Sequence, residues 1–131
     1  MRILVVEDDF ASRRLLQTML STYGECDIAV DGKEAVEAVK LSLDDESAYS
    51  LICLDIMMPN MNGREALKEI RSIEEENGLT GLSKAKIIMT TALNDPKSII
   101  GSFMDQCEAY LVKPITKDKL TAKMKEMALI E

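Results

Sequence analysis

The chain has 131 residues, 47% of them apolar and 30% charged, with a formal charge of −7. That is the size and composition of one soluble globular domain, able to form a core without disulfides or structural metals. The acidic balance argues against a nucleic-acid surface, and no apolar run approaches the ~20 residues of a membrane span.

No residue is histidine, so every mechanism with a histidine base, nucleophile or metal ligand is excluded. The cysteines at 26, 53 and 107 show no CxxC spacing, and Cys53 lies in the run Leu51-Ile52-Cys53-Leu54, where a buried reduced thiol is expected. The apolar start Met1-Arg2-Ile3-Leu4-Val5-Val6 is too short for a signal peptide and lacks a cleavage site, so the expectation is a cytoplasmic protein.

Taken in order, Ile3–Val6 predicts a buried strand. Glu7-Asp8-Asp9 follows, then a helix with Leu15, Leu16, Met19 and Leu20 on one face, ending at Gly24. Cys26–Val30 is a weaker strand. Asp31-Gly32 is a turn before a helix that faces inward through Ala35, Val36, Val39 and Leu43. Leu51–Leu54 is a third strand ending at Asp55. Met58-Pro59-Asn60-Met61-Asn62-Gly63 is loop chemistry, and a third helix carries Ala66, Leu67, Ile70 and Ile73. Glu74 to Gly78 closes that helix, and a polar connection runs to about Lys86. Ile87–Thr91 is strand four, and Asn94-Asp95-Pro96 starts a fourth helix bearing Ile99, Ile100, Phe103 and Met104. Ala109–Val112 is strand five. A last helix follows Lys113-Pro114, with Leu120, Met124 and Met127 inward.

Five βα units predict an α/β fold, a doubly wound parallel sheet with helices on both faces and one domain over 1–131. The continuous apolar strands fit a sheet buried on both sides.

Ligands of such sheets bind outside the carboxyl ends of the strands. There the sequence places Glu7 and Asp8, then Asp55, Thr91 and Lys113. Three carboxylates that converge repel one another and call for a cation, and oxygen-only ligands favour a hard ion such as Mg²⁺. Carboxylate, metal, hydroxyl and ammonium together suit phosphoryl transfer. Singly, each residue has a plainer reading: a helix cap for Asp8 or Asp9, a turn residue for Asp55, a strand end for Thr91, a solvated lysine for Lys113. Their joint placement at the ends of independently predicted strands favours the site.

With the motifs Ile3-Leu4-Val5-Val6-Glu7-Asp8, Leu54-Asp55-Ile56-Met57-Met58-Pro59 with Asn62-Gly63, Thr91-Ala92, and Tyr110-Leu111-Val112-Lys113-Pro114, the chain resembles the response-regulator receiver family, in its single-domain chemotaxis type. The resemblance covers essentially the whole chain and keeps the order of motifs. It implies a flavodoxin-like strand order 2-1-3-4-5. Asp55 is then the phosphoacceptor. Glu7, Asp8 and Asp55 hold Mg²⁺ with the backbone carbonyl of Met57, while Asp9 caps the helix. Thr91 is the switch hydroxyl, the small Ala92 leaves the phosphoryl group accessible, and Lys113 pairs with phosphoryl oxygens before a cis Pro114. Tyr110 is the aromatic coupled to Thr91, and the surface of the fourth helix, fifth strand and fifth helix changes on phosphorylation.

The implied donor is the phosphohistidine of a histidine kinase or a histidine phosphotransfer protein. The implied output is through a separate effector protein, and neither nucleic acid nor membrane is contacted directly. Met57 and Leu93 occupy the positions that tune phosphoryl lifetime in similar proteins. Neither can orient a water, which implies slow autodephosphorylation. The connection from Gly78 to Ala85 is long for the family and is expected at the sheet end away from the acceptor.

The main alternative is an interaction module that keeps the fold without phosphorylation. An aspartate-nucleophile phosphatase would want a second Asp where Met57 stands, and a flavin domain would want a phosphate-cradling loop after strand one.

Overall fold

The computed structural model describes residues 1–92, 95, 101 and 106–131. Unbroken apolar runs form the middle of a parallel five-stranded sheet: β1 (Arg2–Val6), β2 (Glu25–Ala29), β3 (Leu51–Asp55), β4 (Lys86–Thr91) and β5 (Ala109–Val112). The order is β2-β1-β3-β4-β5, every neighbouring pair parallel. β1, β3 and β4 have neighbours on both sides and helices above and below, so their residues from Ile3 to Val6, Leu51 to Leu54 and Ile87 to Met89 are buried. β2 reads weakly because it is an edge, and Ile28 is 48% exposed there.

Alternation along the strands splits the core in two. On one face, Leu4, Val6, Ile52, Leu54, Ile87 and Met89 pack under α2 (Gly32–Asp44) and α3 (Gly63–Glu76). On the other, Ile3, Val5, Cys53, Ile88 and Leu111 pack under α1 (Phe10–Leu20) and the C-terminal helix (Lys117–Glu126). The helices start at side-chain caps: Asp9, Asp31, Asn62 and Thr116 each accept a backbone N–H of the first turn.

Two details of the first helix differ from expectation. It ends at Leu20 with Ser21 as cap rather than at Gly24, which lies in the bend before β2. Its apolar stripe is also narrower, since Leu16 and Leu20 are buried whereas Leu15 is 53% exposed. The predicted fourth helix, with Ile99, Ile100, Phe103 and Met104, lies outside the described residues. The connection after Gly78 contains a short 3-10 turn at Gly81–Ser83 and enters β4 at its amino end, opposite Asp55. No described helix is long and apolar enough to cross a membrane.

Candidate functional site

Each acid arrives at the carboxyl edge of the sheet for a local reason. Glu7 follows β1 directly, and its N–H donates to the Ala29 carbonyl at 3.1 Å, which keeps it in line with the sheet. Asp9 takes the cap, accepting the Ser12 N–H at 2.9 Å. That bond holds the Asp9 carboxyl below the usual range and leaves Asp8 exposed and uncommitted to the cap. Asp55 ends β3 and is 5% exposed. The chain then turns back tightly: the Gly63 N–H donates to the Ile56 carbonyl at 2.7 Å, and a Cβ on Gly63 would sit 2.1 Å from the Asp55 carbonyl oxygen. Only glycine fits there. Lys113 is positioned by its own N–H, bonded to the Thr91 carbonyl at 2.7 Å, and the Lys113–Pro114 bond is cis.

The structure brings four of the expected residues together. Glu7, Asp8 and Asp55 each offer an oxygen, all within 4.8 Å of one another. The Lys113 ammonium lies 3.0 and 3.1 Å from the two Glu7 oxygens and 3.3 Å from Asp55 Oδ1. Burial, then the negative charge of Glu7, raises the Asp55 carboxyl to about 7, against the opposing pull of Lys113. Burial alone would lower Lys113, but the Glu7 hydrogen bond and the Asp55 charge outweigh it and the ammonium is held above its usual range. The Lys113 ammonium thus pairs with two of three converging carboxylates, and the third, Asp8, opens the cluster to solvent. Oxygen donors of this kind, partly open to water, suit a hard divalent cation such as Mg²⁺.

Met57 lies in the turn after β3 with its side chain 58% exposed. Thr91 and Tyr110 are not part of the carboxylate cluster. By alternation Thr91 follows Met89 onto the α2–α3 face, and Tyr110, paired in register with Met89, packs against the same core. The Thr91 hydroxyl, fully buried, donates to Asp95 Oδ2 at 2.9 Å rather than to the carboxylate cluster. Leu93 lies outside the described residues.

Sequence reading did not single out two residues here. Asp95 was seen only as a helix start, and the available signal was an acid three residues after Ala92, the spacing of a reciprocal cap. Thr90 pairs in register with Asp55, and among the described residues its buried hydroxyl has no hydrogen-bond partner. Cys53 is a buried free thiol as expected, pushed up to about 12 by burial.

The sequence matches the family described as the response regulator receiver domain over residues 3–125. The sensor protein GacS of Pseudomonas syringae pv. syringae is 35% identical over 120 residues, 91% of this chain and 12% of that protein. The probable transcriptional regulator ycf27 of Cyanophora paradoxa is 34% identical over 127 residues, 96% of this chain and 47% of that protein. The chain therefore spans less than half the length of either relative. Among solved structures, the co-crystal of the Saccharomyces cerevisiae histidine phosphotransfer signalling protein Ypd1 with the receiver domain of the response regulator Ssk1 superimposes with a TM-score of 0.78. That alignment is 27% identical and covers 96% of this chain and 87% of that one. The match runs from the first strand into the last helix rather than over an isolated motif, and the chain belongs to the response regulator receiver domain family of two-component and phosphorelay signalling.

Proposed function

We propose that Asp55 is the phosphoacceptor of a Mg²⁺-dependent switch, charged by the phosphohistidine of a histidine kinase or phosphotransfer protein. The observation that carries this reading is the convergence of Glu7, Asp8 and Asp55 within 4.8 Å, beside an ammonium that touches two of them. Glu7, Asp8, Asp55 and the Met57 carbonyl would hold the ion. When bound, Mg²⁺ neutralises charge on the phosphoryl oxygens.

The Asp55 oxygen forms the new bond to phosphorus as the bond to the donor imidazole nitrogen breaks, and that nitrogen keeps the electron pair. Lys113, already within reach of Asp55, pairs with a phosphoryl oxygen. Thr91 then donates to the phosphoryl group. Space near Tyr110 opens, and the surface around β5 and the C-terminal helix changes for an effector protein. Residues 1–131 act as one receiver domain in the cytoplasm, with magnesium as cofactor.

The partner class has support in the co-crystal of the histidine phosphotransfer signalling protein Ypd1 with the receiver domain of its downstream response regulator Ssk1, and in the likeness to a protein named as a sensor. The test is incubation with acetyl phosphate, with and without Mg²⁺, followed by intact mass. One phosphoryl group should be gained only with the metal, and not by Asp55→Asn. Folded protein that gains nothing would turn the reading towards a phosphorylation-independent interaction module.

A further inference from the structure

The Thr91 hydroxyl has one proton to give, and in this structure it is already given. It donates to Asp95 Oδ2 at 2.9 Å, with the Ala92 carbonyl a weaker alternative at 3.3 Å. The same Asp95 oxygen accepts the Ala92 N–H at 2.9 Å, and the Asp95 N–H donates back to the Ala92 carbonyl at 3.1 Å. Ala92 and Asp95 are therefore bonded to each other through backbone and side chain, and the carboxylate is held in front of Thr91 by bonds that do not depend on Thr91.

We propose that Asp95 is a positioning residue that latches Thr91 in the resting state, its carboxylate standing in for the phosphoryl oxygen that the hydroxyl meets after phosphorylation. This rests on the reading of Asp55 as phosphoacceptor. Both acceptors are anionic oxygens, so Thr91 exchanges one charge-assisted bond for another. The exchange is nearly balanced, and a receiver whose two states differ little is one that a single phosphoryl group can shift. Asp95 keeps its bond to the Ala92 N–H when Thr91 leaves, so release leaves the Ala92–Asp95 pairing intact. Without the latch, the hydroxyl is free before phosphorylation, and the binding-competent fraction rises.

The latch is tested by titrating the whole chain with beryllofluoride, a phosphoryl mimic, in the presence of Mg²⁺, and reading the half-saturating concentration by calorimetry. Asp95→Ala should bind the mimic roughly five- to tenfold more tightly, the scale of one charge-assisted hydrogen bond. Asp95→Asn, which keeps an acceptor oxygen, should lie between it and the unaltered protein. In a Thr91→Ala background the Asp95→Ala gain should vanish, because there is no hydroxyl left to release. An unchanged or weaker affinity in Asp95→Ala overturns the latch, with thermal unfolding used to confirm that the variant is folded. A gain that persists without the Thr91 hydroxyl also overturns it, since the effect is then only the removal of a negative charge near the site. If the unaltered protein takes up neither beryllofluoride nor a phosphoryl group, the phosphoacceptor reading fails first and the latch with it.

Discussion

The two ends of the sheet both bury acids, and they treat them in opposite ways. At the amino end Glu74 is 2% exposed, yet its carboxylate is met by the Arg71 guanidinium at 2.6 Å and by the Ala85 N–H at 2.7 Å. Arg71 also reaches Glu108 and the carbonyls of Ala85 and Gln106, and Glu108 accepts the Ile87 N–H. Nearby, Asp27 accepts from Tyr49 at 2.7 Å and pairs with Arg2, whose guanidinium lies over the Tyr49 ring. At the carboxyl end, three carboxylates converge and the Lys113 ammonium pairs with two of them, Glu7 and Asp55. The first arrangement spends its charges on holding helix, connection and strands together. The second gathers more carboxylates than Lys113 pairs with, which destabilises the empty site and gives a bound cation something to relieve.

The contrast predicts opposite signs for neutralising an acid at each end. Glu74→Ala should cost about 3 kcal/mol, because it takes the shorter of two carboxylate partners from a nearly buried guanidinium and orphans the Ala85 N–H. Urea unfolding measures this, and a loss below about 1 kcal/mol would put the amino-end cluster in the class of surface pairs.

Asp55→Asn should do the reverse and stabilise the metal-free protein, by about 2 kcal/mol at pH 8. The sign follows from the raised carboxyl. Below the unfolded value near 3.8 Asp55 is neutral in both states and carries no penalty; between there and about 7 only the unfolded chain ionises, so stability falls as pH rises. The advantage of Asn should therefore be full above pH 7 and fade as the pH drops towards 4. Unfolding curves at pH 5 and 8 check it. A destabilising Asp55→Asn would mean that the Lys113 pair outweighs the repulsion from Glu7.

Mg²⁺ sharpens the same comparison with a smaller effect. At about ten times its dissociation constant the ion should stabilise the unaltered protein by roughly 1.4 kcal/mol. The shift in Tm should be larger at pH 8 than at pH 6, where Asp55 is partly protonated and competes with the metal. Glu74→Ala should keep the full increment, whereas Asp55→Asn should lose most of it.

How much of this was legible depended on whether a residue's role was set locally. The central strands read clearly because burial on both faces of a parallel sheet leaves no polar alternation, and the acids and Lys113 read clearly because strand ends locate them. Glu74 did not. In the run Glu74-Glu75-Glu76 it looks like a helix tail, although it lies four residues after Ile70 on the buried face. Its partner N–H comes from a connection whose path no local pattern fixes. Leu15 misled in the other direction, since a stripe of four apolar residues need not be covered across its whole width. The engagement of Thr91 with Asp95 is a contact between side chains four residues apart that the residue types permit but do not specify.

The smallest expected effect concerns how long the charged state lasts. On the proposal that Asp55 is the phosphoacceptor, loss of the phosphoryl group requires a water aligned with the Asp55–phosphorus bond, and Met57 lies two residues past that acid. Met57, 58% exposed there, has no group able to bind and orient such a water. After removal of the donor, the phosphoryl mass increment should therefore decay with a half-life of minutes or longer. Met57→Asn supplies an amide at the same position and should shorten the half-life by roughly threefold to tenfold, less than 1.4 kcal/mol in barrier. A half-life of seconds in the unaltered protein would sink this reading. It would place the water-orienting group elsewhere, and Thr90, paired in register with Asp55 and without a hydroxyl partner among the described residues, is where to look next.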